Sequence, residues 1–350
     1  MLFKNNIVKN NDLHNKTTNY FKIFLLFTLV FILYLYKYIL LNHKILKKRN
    51  VKKEIIYQNK IKVCLCAIGK GEKIYAKEYI NYYEKLGYNH VFLYDNNDIN
   101  GEIFEDVIQD ELKKGFVTII NYRGKRGKSY INGFLMDSQI EAYYDCYEKN
   151  NKTYNWLSFF DFDEFLELKP ININIQQFLS HKRYKNCQVI KFNFLFYSDN
   201  ELLYYNNNPV QKRFLAPLIN HTNNKYIKST VRGRLSINYW KNGNNPHSGK
   251  IKYKTCNSNG EIINYKSIKN KHINFTFAAL KHYSTKSVEE YYYKVKRGYP
   301  YYKTKDYLFN LEKIIGKINF YFIYNKKTKK KIKLFKKLFE IKYDINKLIK

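Results

Sequence analysis

Apolar and polar positions along the middle of this 350-residue chain switch repeatedly between two periods. Short continuous apolar runs, which suit strands buried on both faces, are separated by stretches with helical spacing. Residues 62–68 read as a strand, 72–86 as a helix stopped at Gly87, and 90–95 as the next strand. A polar turn over 96–101 leads to a helix over 103–113 that stops at Gly115, then to a strand over 116–120. Residues 131–149 read as a long helix feeding the apolar run 156–160. Strand–helix alternation of this kind implies a largely parallel, nucleotide-binding-like α/β sheet with helices on its faces. From about residue 187 the runs shorten. Residues 189–196, 227–231, 235–240 and 251–253 read as strands that pair partly antiparallel and shape an acceptor cleft, and 287–297 as a helix.

The first 60 residues follow a different pattern. Residues 21–41 are apolar except for Lys22 and Lys37 near the two ends, where a lysine can reach the interface. About 20 apolar residues suffice to cross a bilayer. No small-residue cleavage site follows, so the stretch reads as an uncleaved single-pass anchor. The chain then divides into an N-terminal tail (1–20), a transmembrane anchor (21–41), a basic stem (42–60), a catalytic-type domain (61–300) and a basic helical extension (301–350). Basic residues flank the span on both sides, and more follow it than precede it. The positive-inside rule would put the C-terminal bulk in the cytosol, but lysine is abundant everywhere and the count carries little weight.

The formal charge of +34 invites an anionic partner. The lysines are scattered among asparagine, isoleucine and tyrosine, as an AT-rich genome would produce, and no nucleic-acid-binding motif accompanies them. A specific nucleic-acid partner is therefore not expected. The five cysteines show no zinc or C-x-x-C spacing; Cys64 and Cys66 alternate on one strand and fill core, and an odd count leaves at least one free thiol.

Candidate chemistry centres on Phe159-Phe160-Asp161-Phe162-Asp163-Glu164-Phe165. Carboxylates just past a buried strand lie at the edge where open α/β sheets bind ligands. In an extended segment residues i and i+2 point the same way, so Asp161 and Asp163 can face one ligand together. Anionic groups among phenylalanines need a cation, and a divalent ion carrying a diphosphate is the natural one. A solvated turn or a helix cap is the plainer reading of a lone D-x-D. Asp95 and Asn96 end the second strand, where an acidic residue can bind a base or ribose, or form an Asx turn. His282 ends an apolar run and can supply a third metal ligand or a satisfied structural imidazole. Residues 69–72 are neither a P-loop nor a G-x-G-x-x-G turn, and no phosphate cradle is assigned to them.

The ordered set resembles glycosyltransferase family 92, a GT-A-like group with a family-2-like core. The matching pieces are residues 67–72, Tyr94-Asp95-Asn96-Asn97, Gln139 with residues 142–146, residues 156–166, Lys228-Ser229-Thr230-Val231-Arg232, His247, residues 282–287, Lys294 and Arg297-Gly298. The resemblance implies a GT-A-like mixed sheet and a type II membrane enzyme of the Golgi or another secretory membrane. Its activity would be inverting transfer from a UDP-sugar, often UDP-galactose, to a glycan hydroxyl with Mn²⁺ or Mg²⁺. Carried over, Ala67, Glu72, Asp95 and Asn96 face the nucleotide, Asp161 and Asp163 hold ribose and metal, and His282 closes the metal shell. Glu164 and Asp199 are the two candidates for the base that takes the acceptor's proton. Three departures stand out: Gly71 where the family has Asn, Tyr79 and Tyr83 in place of a Trp-and-His pattern, and residues 196–200 in place of a Gly/Ser-rich acceptor loop. A membrane-anchored carbohydrate-binding or scaffold protein with an inactive transferase-like domain is the competing expectation.

Overall fold

The computed structural model describes residues 28–29, 31–38, 61–125, 128–131, 134–170, 172–235, 253–263, 269 and 272–297. The chain divides into two compact units, Met1–Gln58 and Asn59–Lys350. In the first, the described residues 28–29 and 31–38 are helical. No helix among the described residues is long and apolar enough to cross a membrane. Most of the expected anchor, the tail, the stem and the C-terminal extension lie outside the described residues.

In the second unit the elements run β1 (Val63–Gly69), α1 (Lys73–Lys85), β2 (His90–Asp95), α2 (Gln109–Lys113), β3 (Val117–Asn121), β4 (Lys128–Ile131), β5 (Phe134–Asp137) and α3 (Ser138–Asn150). They continue as β6 (Trp156–Phe159), β7 (Glu164–Leu168), α4 (Ile175–Leu179), β8 (Val189–Phe196), α5 (Val210–Arg213), β9 (Ile227–Arg232), β10 (Thr255–Asn257), β11 (Ala278–His282) and α6 (Val288–Lys296). The main sheet has the order β3-β2-β1-β6-β9-β8-β11-β7, with β10 beside β8. β3, β2, β1 and β6 are mutually parallel, while β9 runs antiparallel to both β6 and β8. β11 is parallel to β8 and antiparallel to β7. This is the expected mixed α/β sheet flanked by helices. Consecutive β6 and β7 stand four strands apart yet are joined by residues 160–163 alone, so the sheet must curl to bring its far edge back to that turn.

Alternation in β1 shows why both faces are covered. Val63, Leu65 and Ala67 pack into one cluster with α1, while Cys64 and Cys66 pack into another with α3. Tyr79, Tyr82 and Tyr83, three and four residues apart on α1, share one face. Their hydroxyls donate to the carbonyls of Phe160, Leu166 and Glu164 at 2.8, 2.7 and 2.8 Å. Burial of Tyr79 and Tyr83 contributes roughly 2 kcal/mol each, and their hydroxyls fix the turn between β6 and β7. Tyr79 and Tyr83 therefore hold the acidic turn in place.

Disulfides join Cys66 to Cys146 and Cys187 to Cys256, while Cys64 is free and buried. Closing loops of 80 and 69 residues stabilises by about 4 kcal/mol each on a chain-entropy account. The first bond also anchors α3, whose residues 139, 143 and 146 lie along one helical face.

Some elements differ from the sequence expectation. The helix over 131–149 begins only at Ser138, where the Asp137 carboxylate accepts the Ile140 N–H at 2.8 Å, because β4 and β5 pair as a hairpin before it. The helix over 103–113 contracts to Gln109–Lys113. A strand forms at Thr255–Asn257, while residues 251–252 of the strand expected over 251–253 and residues 236–240 of the one expected over 235–240 are outside the described residues.

α6 is tied down by a buried pair. Arg213 donates from Nη1 to Glu290 Oε2 at 2.7 Å and from Nη2 to Oε1 at 2.8 Å, with Tyr75 and Ser287 hydroxyls on the same carboxylate. Burial pushes this carboxyl up, but Arg213 and the hydroxyls outweigh it and hold it below its ordinary value. A depressed acid contributes stability above its unfolded pKa, near 4.3, that is lost as pH falls through the lower folded value. Glu290→Gln is expected to cost about 3 kcal/mol at neutral pH. Urea titrations at several pH values should show the deficit fading below about pH 4.

Candidate active site

The strand order reverses between β1 and β6, and at such a point an open sheet leaves a crevice at the carboxyl ends of its strands. Gly69 ends β1 opposite Asp95, which in turn lies opposite Asn121. A Cβ on Gly69 would sit 2.7 Å from Phe104 and 2.8 Å from Phe162, the residue between the two aspartates. Phe162 is itself held against Tyr79, with ring centroids 4.6 Å apart. Only a glycine lets β1 approach this turn so closely. Gly69→Ala is expected to displace Phe162 and cost about 2 kcal/mol, as overpacking does. A thermal melt measures the loss, and an unchanged melting temperature would contradict the packing.

Residues 161–163 form a turn, not an extended segment: Glu164 N–H donates to the Asp161 carbonyl at 2.9 Å. The two aspartates therefore do not share one direction, and each has its own cation. Asp161 Oδ1 accepts from Gln139 Nε2 and the Tyr143 hydroxyl, both at 2.7 Å, and lies 2.9 Å from Lys228 Nζ. Lys228 is wholly buried and also lies 3.7 Å from Glu164 Oε2, which accepts the Asp161 N–H at 2.8 Å. Burial alone would raise the Asp161 carboxyl, but Lys228 holds it below its ordinary value. Burial raises Glu164 well above its ordinary value, since one lysine cannot offset desolvation and two neighbouring aspartates.

Asp163 faces the other way, toward β11 and α6. Lys294 Nζ donates to its Oδ2 at 2.6 Å and to the Ser284 carbonyl at 3.0 Å. His282 Nε2 lies 3.6 Å from its Oδ1, too far for a hydrogen bond. Burial pushes Asp163 up, yet Lys294 and His282 outweigh it and keep the carboxyl well below its usual range. The imidazole sits between Phe194 and Phe196, and its buried Nδ1 has no partner among the described residues. Asp163, Glu164 and His282 each offer one ligand atom, all within 4.8 Å of one another. Carboxylate oxygens with one imidazole nitrogen suit a hard or borderline divalent cation, and the open Asp163–His282 gap has the spacing of two ligands on one ion.

The family model for glycosyltransferase family 92 matches residues 59–313, which is 255 of the 350 positions. The chain belongs to glycosyltransferase family 92. No curated protein matches it. The carboxyl-edge cluster just described lies wholly inside the matched span of this family 92 chain.

The remaining expected site residues are distributed unevenly around it. Ala67 lies two residues inside β1 with its side chain fully buried in the core, so it offers a ligand no surface. Glu72 stands at the N-terminus of α1 without a side-chain cap hydrogen bond and pairs with Arg297, while its Oε2 is buried without a hydrogen-bond partner among the described residues. Asp95 has both carboxylate oxygens engaged, Oδ1 by the Asn97 N–H at 2.9 Å and Oδ2 by Arg123 at 2.6 Å. Asn96 donates its carboxamide to the carbonyls of Tyr122 and Lys125. Asp199 lies just beyond β8, on the edge where Phe196 pairs with His282, and accepts the Glu201 N–H at 2.9 Å. Glu164 is 1% exposed and enclosed by Lys228 and the Asp161 N–H, whereas Asp199 is half-buried. Both remain candidates for the base, and Glu164 also lies within reach of a metal.

Sequence reasoning gave no role to Gln139, Tyr143, Lys228, Lys294 or Arg123. Gln139, Tyr143, Lys228 and Lys294 fall in the stretches that carry the family resemblance, which was the available signal for them; Arg123 had none.

Proposed function

We propose that this family 92 protein is a membrane-anchored, metal-dependent inverting glycosyltransferase that moves a sugar from a UDP-sugar to a glycan hydroxyl. The observation that carries the reading is the Asp163–His282 pair, facing across 3.6 Å at the crevice between β1 and β6, with Glu164 beside it. Asp163, His282 and Glu164 would hold Mn²⁺ or Mg²⁺, which when bound neutralises charge on the departing diphosphate. Lys294 and Arg297 add fixed positive charge on the same side. Asp199 is the base this geometry favours, with the acceptor hydroxyl attacking C1 from the face opposite the diphosphate. Galactose is the donor sugar expected from the family.

Two disulfides between buried cysteines favour an oxidising compartment, consistent with the lumen of the Golgi or another secretory membrane. Phe31, Ile32, Leu33 and Leu35 lie on the described helical residues of the first unit and are all exposed, as a bilayer-facing helix requires. Of the four N-x-S/T sequons, at Asn15, Asn151, Asn220 and Asn274, Asn220 is exposed, whereas Asn151 is buried with its amide on the Tyr147 and Glu148 carbonyls. Glycosidase-sensitive mobility that disappears in Asn220→Gln would support lumenal placement.

The deciding experiment is a screen of UDP-sugars with glycan acceptors, with and without Mn²⁺. Metal-stimulated release of UDP is expected. Tight glycan binding with no turnover of any donor would favour the inactive, carbohydrate-binding alternative.

A further inference from the structure

Arg123 follows β3 and extends one guanidinium across the carboxyl edge into the loop after β2. Its Nη1 donates to Asp95 Oδ2 at 2.6 Å and to the Glu102 carbonyl at 2.8 Å. Its Nη2 donates to the carbonyls of Asp98, Ile99 and Gly101 at 2.9, 3.2 and 3.1 Å. A planar, permanently charged fork is the side chain best suited to gather several oxygens at once. Five acceptors on one cation fix the path of residues 98–102.

The clamp continues toward the crevice. Asp95 Oδ1 holds the Asn97 N–H, and Asn97 Oδ1 accepts the Gly71 N–H at 2.8 Å. Lys70 pairs with Asp98 at 3.1 Å, and Glu102 Oε2 accepts the Lys73 N–H at 3.0 Å. The loop of residues 96–102 is thus braced to residues 70–73, which border the switch point where a ligand of this sheet docks. Removing Arg123 would free four carbonyls and leave the Asp95 carboxylate, itself 3% exposed, without a cation.

We propose that Arg123 is the positioning residue of the donor nucleotide site: it sets the loop pair 70–73 and 96–102 against which the nucleoside diphosphate docks, and Asp95 acts only through it. This rests on the nucleotide-sugar reading above. Arg123 touches none of the groups around Asp163, so its loss separates donor binding from chemistry.

The test uses the full chain, with donor kinetics and calorimetric UDP binding for Asp95→Asn, Arg123→Gln and the double variant. Arg123→Gln is expected to raise donor KM and the UDP Kd about tenfold, with kcat within about twofold. The single change leaves a buried anion unpaired and can destabilise the fold; the double variant removes that charge and should melt near the parent while keeping the tenfold weakening. Asp95→Asn alone keeps the guanidinium on its carbonyls and should weaken UDP by no more than about threefold. A double variant with parental UDP affinity would overturn the proposal, and so would an Asp95→Asn as weak as the double, because Asp95 would then touch the nucleotide itself. Lack of UDP binding by the unmodified protein would instead remove the transferase reading, and this proposal with it.

Discussion

Asp163→Asn is expected to cut metal-stimulated UDP-sugar turnover by on the order of a thousandfold while the protein stays folded. Asp163 is the aspartate whose free oxygen faces His282 across an unbridged gap, and Lys294 helps keep its carboxyl ionised. The charges around it also matter. Asp161 and Asp163 are balanced by Lys228 and Lys294, so an added dication meets a nearly neutral cluster. It binds strongly only with the further negative charge of a diphosphate, and the amide would tip the cluster positive and weaken that ternary binding. Asp163, held well below its ordinary range, contributes stability at neutral pH, so the amide costs some stability; the fold should survive because Lys294 is 21% exposed and still holds the Ser284 carbonyl. Initial rates against Mn²⁺ concentration, with calorimetry of UDP in the presence of Mn²⁺, measure both effects. Turnover matching the parent protein would remove Asp163 from the metal site.

Much of the fold was legible because it is locally encoded. β1, β2 and β8 are apolar runs too short for helices, and Gly87 and Gly115 adopt the positive φ that ends the preceding helices. The β4–β5 hairpin was missed although its signal was present: the sequence Asn132-Gly133 lies between strands that pair Ile131 with Phe134. A run of residues compatible with helix outweighed a two-residue turn signature. β7 was missed for a different reason. Its strand begins at Glu164, inside the acidic motif, and the Tyr79 and Tyr83 hydroxyls of a helix 81 residues earlier help fix the turn that launches it.

The site was legible in its members and illegible in its pairings. The carboxylates at 161–164 and His282 do converge on one edge. The expectation that Asp161 and Asp163 act in the same direction assumed an extended backbone, and the turn at 161–163 sends them to separate lysines. Asp95 and Asn96 look like ligand contacts in a linear reading because nothing local discloses that Arg123 and the Tyr122 and Lys125 carbonyls take their side chains. Neutralising partners come from residues 67 and 131 positions away, and separations of that size leave no periodic trace in a sequence.

The lysine on the Asp161 side has the largest expected effect on stability. Lys228→Met keeps length and apolar volume but removes the cation that Asp161 and Glu164 share. A buried ion pair adds little over an apolar substitute, yet breaking one strands a charge, at a cost of about 3–5 kcal/mol. That is a large part of the whole stability of an ordinary domain. Gln139 and Tyr143 still donate to Asp161, so the carboxylate keeps hydrogen bonds but loses its neutralising charge. Adding Asp161→Asn removes the stranded anion, and the two changes, being in contact, should not add: the double variant should regain more than half the loss. The pH dependence has a definite sign. Asp161, depressed by Lys228 in the parent, contributes stability above its unfolded pKa near 3.9 that disappears as pH falls. The deficit of Lys228→Met should therefore be full at neutral pH and shrink below about pH 4 in urea titrations. A Lys228→Met midpoint equal to that of the parent would mean that this lysine does not hold the acidic turn.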